Sequence, residues 1–114
     1  MATFIYAAEG WESCRIVGDG KRVQHFRYIH STTPDAEHEP STEEWEKFWL
    51  MVETVGAWSW EGNYDEGVRC GTPWRLEIRL GSRVMNCRGN LTSLGTLPPG
   101  FERLYFAMLV VCQS

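Results

Sequence analysis

Apolar and polar residues alternate along two pairs of short segments, and each pair is followed by a stretch whose apolar residues recur every three to four positions. Alternation with period two marks a strand with one buried face, whereas the longer period marks an amphipathic helix. In the first half, 14–17 and 23–28 flank Gly18-Asp19-Gly20, whose glycines suit the positive-φ positions of a tight turn. Trp45, Phe48, Trp49, Val52 and Val55 follow at helical spacing. In the second half, Trp74, Leu76, Ile78 and Leu80 alternate with Arg75, Glu77 and Arg79, and Gly81-Ser82 turns the chain into 83–88. Phe101, Leu104, Tyr105, Met108, Leu109 and Cys112 then form one broad apolar stripe. The helical segments align at a single offset, Trp45-Glu46-Lys47-Phe48-Trp49 on Phe101-Glu102-Arg103-Leu104-Tyr105. The pattern predicts an α+β domain of two ββα halves. Its antiparallel sheet carries both helices, 41–55 and 100–112, on one face, because both stripes have to meet one core. The apolar run 3–7 adds a first strand.

Local chemistry sharpens the first helix. Ser41-Thr42-Glu43-Glu44 has the form of a capping box, with Ser41 as N-cap and Glu44 reaching back to it. Glu43 and Glu44 also sit at the positive end of the helix dipole, and Gly56 is placed to end the helix. Three stretches read as connections: the polar segment 29–40, the irregular segment 57–73, and 91–100, which leads through Pro98-Pro99-Gly100 into the last helix.

With 114 residues, the chain has the length of one domain, 1–114. Six Trp, five Phe and four Tyr give it a large aromatic supply. Each buried ring removes on the order of 150–250 Å² from water, so folding requires neither a disulfide nor a metal staple. The net charge of -4, with scattered basic residues, argues against a nucleic-acid backbone as partner. The first residues lack the pattern of a signal peptide, and no apolar run has the length of a membrane span. A cytoplasmic protein without membrane association is therefore expected. In that compartment Cys14, Cys70, Cys87 and Cys112 should be reduced, with Cys87 and Cys112 serving as small buried hydrophobes.

Candidate chemistry concentrates in the irregular segment. His25, His30 and His38 lack metal-ligand spacing with one another or with the cysteines, so no metal or other cofactor is expected. Cys70 could be an exposed thiol, but no neighbour in sequence would activate it. Glu61, Asp65 and Glu66 lie among Trp58, Trp60 and Tyr64, with Trp74 just beyond. Aromatic anchors within an acidic rim suit a protein partner with a basic surface. Trp58, Trp60, Glu61, Tyr64, Asp65 and Glu66 are thus the candidate partner-binding residues, and no catalytic residue is assigned. The same composition also allows a small hydrolase or carbohydrate-binding protein using Glu61, Asp65 or Glu66.

Thr42-Glu43-Glu44-Trp45-Glu46-Lys47-Phe48, Trp58-Ser59-Trp60, Tyr64, Gly71-Thr72-Pro73-Trp74-Arg75-Leu76-Glu77-Ile78, Gly89-Asn90 and Phe101 form an ordered series of motifs. In this the chain resembles a family of small bacterial and phage proteins of uncharacterised activity. That family carries an EEWxxF helix, a WxW pair, a DGTxWxLxI strand and a GxN motif before a phenylalanine-led helix. The likeness spans about residues 41–108. Cys70 stands where the family pattern has Asp, and the stretch from Asn90 to Phe101 is longer than the family's. The resemblance implies the fold and a bacterial or phage origin, and supplies no chemistry. The resulting functional expectation is a non-enzymatic protein that masks a partner macromolecule, as immunity proteins and phage-encoded anti-defence inhibitors do.

Overall fold

The structure, a computed structural model, describes residues 2–8, 14–64, 72–91 and 97–113. Seven strands form one sheet: β1 (Ala2–Ala8), β2 (Cys14–Gly18), β3 (Val23–Phe26), β4 (Ala36–His38), β5 (Asn63–Tyr64), β6 (Thr72–Leu80) and β7 (Arg83–Leu91). Helix α1 (Thr42–Thr54) lies between β4 and β5, and helix α2 (Phe101–Gln113) follows β7. The strand order is β4-β3-β2-β1-β6-β7-β5. The fold is α+β, as the periodicities predict, and the sheet remains open rather than closing into a barrel. Each helix follows a hairpin, while β1 stands between the two hairpins and pairs with both.

Side-chain alternation sorts the sheet into two faces. On β1, Phe4, Tyr6 and Ala8 are buried on one face together with their neighbours Ile16 and Cys14 on β2 and Ile78, Leu76 and Trp74 on β6. Phe4 packs on Phe48 of α1, with ring centroids 4.8 Å apart. Two residues along the same strand, Tyr6 packs on Phe101 and Tyr105 of α2 at 5.8 and 5.3 Å. Residues i and i+2 share a face, so both helices cover the same side. Phe48, Val52, Leu104 and Met108 complete the core between sheet and helices. Each such aliphatic or aromatic side chain stabilises the fold by roughly 1.5–3 kcal/mol through burial. The other face carries Arg15, Val17, Ile5, Arg75, Glu77, Asn86 and Arg88, and neither α1 nor α2 lies over it.

Ser41 caps α1 through both arms of the capping box: Glu44 N–H donates to Ser41 Oγ at 3.2 Å, and Ser41 N–H donates to Glu44 Oε1 at 3.1 Å. Gly56 adopts φ +70° just past the helix, where a side chain would be strained. The polar segment 29–40, expected to be loop alone, contributes β4, which pairs with β3 over Val23↔His38 to His25↔Ala36. The described part of the segment 57–73 likewise has more regular structure than the sequence suggests. It holds a 3-10 turn at Ala57–Ser59, the two-residue β5 and the first two residues of β6. β5 runs parallel to β7, the one departure from an otherwise antiparallel sheet among the described residues.

Candidate functional site

The candidate aromatics of the irregular segment all turn toward the core, and each is half-buried. Trp58 lies near-parallel to Trp49 of α1, at 6.5 Å and 9°. Trp60 meets Phe101 at 6.2 Å, and Tyr64 lies along Trp74 at 6.3 Å. Tyr64 Oη accepts a hydrogen bond from Glu61 N–H at 3.0 Å, so the turn is tied down by its own side chain. Trp58 and Tyr64 lie toward opposite ends of the β6–β7 hairpin, beside Arg83 and Trp74. The Glu61 side is exposed, whereas Asp65, Glu66 and Cys70 lie outside the described residues.

Around Trp58 the fold assembles a surface that the sequence divides among three elements. Trp45 and Trp49, one helical turn apart on α1, lie near-parallel at 6.5 Å and 20°, and Trp58 continues the series beyond Trp49. Both α1 tryptophans are half-buried, although their spacing places them on the apolar stripe. Together with Leu50 and Leu80 they line an open depression of about 520 Å³, edged by Glu46 and Glu53. Leu50, which shares this depression with the two tryptophans, is 65% exposed. Isolated exposed apolar residues are ordinary, but a contiguous apolar patch with a polar rim is the form an interaction surface takes.

One basic side chain already uses this surface. Arg83, at the start of β7, places its guanidinium 4.3 Å above the Trp58 ring while Nη1 donates to Glu53 Oε1 at 2.7 Å. A cation held jointly by an indole face and a carboxylate shows what the shelf can bind: apolar side chains along its tryptophans, and Arg or Lys heads at Glu46 and the rim. Leu50, Trp45 and Glu46 were missed by a search for dense aromatics in irregular sequence. Their signal was an exposed leucine at the position between Glu46 and Glu53, on the polar side of an otherwise regular amphipathic helix.

Cys14, Cys87 and Cys112 are buried and not joined to one another by disulfides. Burial pushes the Cys87 thiol up to about 12, and burial likewise raises that of Cys112. At neutral pH both are protonated, and the thiol form is a poor nucleophile and metal ligand. Among the described residues no group of three or more His, Cys, Asp or Glu side chains is placed to hold a metal ion. Among those residues, too, no helix is long and apolar enough to cross a membrane. No protein-family model matches the chain, and the search of curated proteins gives no match.

Proposed function

We propose that the protein is a non-enzymatic binding protein that masks a partner macromolecule, in the manner of an immunity protein or a phage-encoded anti-defence inhibitor. On this reading, the partner is a protein that presents a basic, partly apolar surface to the tryptophan shelf. The observation that carries it is the 65% exposure of Leu50 between half-buried Trp45 and Trp49, with Glu46 and Glu53 at the edge. Tryptophan is enriched among residues that dominate interface energies, and carboxylates at a rim set association rate and partner choice. Trp58 continues the shelf beyond Trp49, with Trp60 and Tyr64 holding its segment against the core.

The test is to capture a partner from bacterial lysate on the immobilised protein, identify it, and measure its affinity for variants. Leu50→Glu leaves the core intact because Leu50 is exposed. It should weaken binding at least tenfold, about 1.4 kcal/mol. Glu46→Lys should slow association and reduce its dependence on salt. A captured partner that binds both variants as tightly as the parent protein would exclude the shelf. An oligosaccharide that saturably quenches tryptophan fluorescence, with the quenching lost in Leu50→Glu, would instead favour the carbohydrate-binding reading.

A further inference from the structure

The uncovered sheet face has a charge pattern opposite to that of the whole chain. Most of its arginines are engaged. Arg15 donates from Nη1 to Ile29 O and from Nη2 to Ser31 O, both at 3.0 Å, with its guanidinium 4.1 Å from the Phe26 ring centroid. Arg79 pairs with Glu77 at 3.1 Å, and Arg22 with Glu37 at 2.9 Å. Arg75 and Arg88 differ. They face one another across β6 and β7, both are exposed, and neither has a carboxylate partner among the described residues. Like charges placed directly opposite in an antiparallel pair destabilise the sheet. Beside them the sheet is low, because the next residue in the row is Ala7, paired with Arg75 on one side and Arg15 on the other. The result is a concavity of about 300 Å³ lined by Ala7, Ile29, Pro73, Arg75 and Arg88.

We infer that this concavity is a binding site for a phosphomonoester, held between the guanidinium groups of Arg75 and Arg88. The charge balance selects the ligand class. A phosphomonoester carries about -1.5 to -2 at neutral pH and offers three acceptor oxygens. It compensates both guanidinium groups, each of which can engage it through two N–H donors. A single carboxylate would leave one arginine uncompensated. The volume lies at the lower end of the range for small-molecule sites, so it accommodates the phosphate together with part of the group that carries it. Among the described residues, Glu77, two positions from Arg75 on this face, is already paired with Arg79. The site occupies the sheet face opposite the helices and the tryptophan shelf, so its test is independent of the masking reading.

The experiment measures thermal stability and calorimetric binding of the full chain at low, matched ionic strength. The probes are inorganic phosphate, a nucleoside 5′-monophosphate, the corresponding nucleoside, acetate and chloride. Phosphate and the monophosphate should raise Tm well above the chloride control, with the nucleoside and acetate ineffective. Tighter binding of the monophosphate than of inorganic phosphate would identify an organic ester as the better ligand, and equal binding would identify the phosphate group alone as the determinant. Arg75→Gln and Arg88→Gln should each raise the ligand-free Tm by removing the repulsion, and each should weaken phosphate binding at least tenfold. Arg22→Gln, ion-paired with Glu37 at the far end of the sheet, should leave binding unchanged. The inference is overturned if phosphate acts no differently from chloride, if acetate matches it, or if its effect survives in Arg75→Gln and Arg88→Gln.

Discussion

Replacing Gly89 by Ala adds one methyl group to β7, and the structure sets its cost. A Cβ there would stand 2.8 Å from both Cζ2 and Nε1 of Trp74 and 2.9 Å from Cε2. Ordinary contact requires the ring to retreat by about 0.6 Å. It has little room to do so. Phe101 meets it at 5.0 Å, Tyr64 lies along it at 6.3 Å, and the indole belongs to the buried core. The strand cannot yield instead, because β7 is hydrogen-bonded to β6 on one side and β5 on the other. Overpacking of this kind costs about 1–3 kcal/mol. At roughly 4 °C per kcal/mol for a domain of this size, Gly89→Ala should lower Tm by about 4–12 °C. The decisive assay is a double-mutant cycle with Trp74→Phe by denaturant unfolding. Phenylalanine lacks the crowding indole atoms. It also removes Nε1, which is buried without a hydrogen-bond partner. Gly89→Ala should therefore cost much less in the Trp74→Phe background. Equal costs in the two backgrounds, or a loss below about 0.5 kcal/mol in the parent, would refute the packing argument.

Three further outcomes follow from single observations. Ser41→Ala removes one arm of the α1 capping box and should destabilise the protein by about 1 kcal/mol, measured by urea unfolding. Asp19 Oδ1 accepts hydrogen bonds from the backbone N–H groups of Arg22 and Lys21 at 2.8 and 2.9 Å, which hold its carboxyl below its ordinary value of 3.8. Its stabilisation is therefore present above that value and is lost as pH falls through the lower folded-state pKa. Asp19→Ala should lower stability at neutral pH and flatten this part of the acid profile, as followed by circular dichroism. For Cys87 the sign is opposite: the folded thiol stays protonated up to about 12, while the unfolded one ionises near 9.0. Stability present below about pH 9 should fall as pH rises from there toward 12, and Cys87→Ala should reduce that slope. Native-state alkylation of Cys87 at pH 8 should be far slower than in denaturant.

The hairpin was legible over 74–88, and the structure extends it to 72–91, carrying Gly89-Asn90 within β7 rather than beyond its end. Once Gly81-Ser82 is taken as a two-residue turn, Leu80 pairs with Arg83, and the register carries Arg75 onto Arg88 and Trp74 onto Gly89. The first pair lies within the strands as read from sequence; the second needs β7 to run past residue 88. The capping box and the two helices were equally clear, because local hydrogen bonds and a period of 3.6 residues are written into adjacent residues. The short strands β4 and β5 were not. Two or three residues carry no measurable period, and they become strands because β3 and β7 offer free backbone edges. Trp45 and Trp49 show the same limit from another side. Their spacing assigns them to the apolar stripe of α1, but how far the sheet covers that stripe depends on where the helix sits. Here the cover stops short, leaving a tryptophan shelf beside Leu50. The concavity at Arg75 and Arg88 likewise needs Ala7, brought alongside from a distant part of the chain by β1 pairing. Sequence alone determined the longer strands, the two helices, the α1 cap and their apolar faces, since these depend on neighbours within a few positions. Tertiary structure decided which apolar residues remain uncovered and which charges meet without partners, because both depend on segments that are distant along the chain.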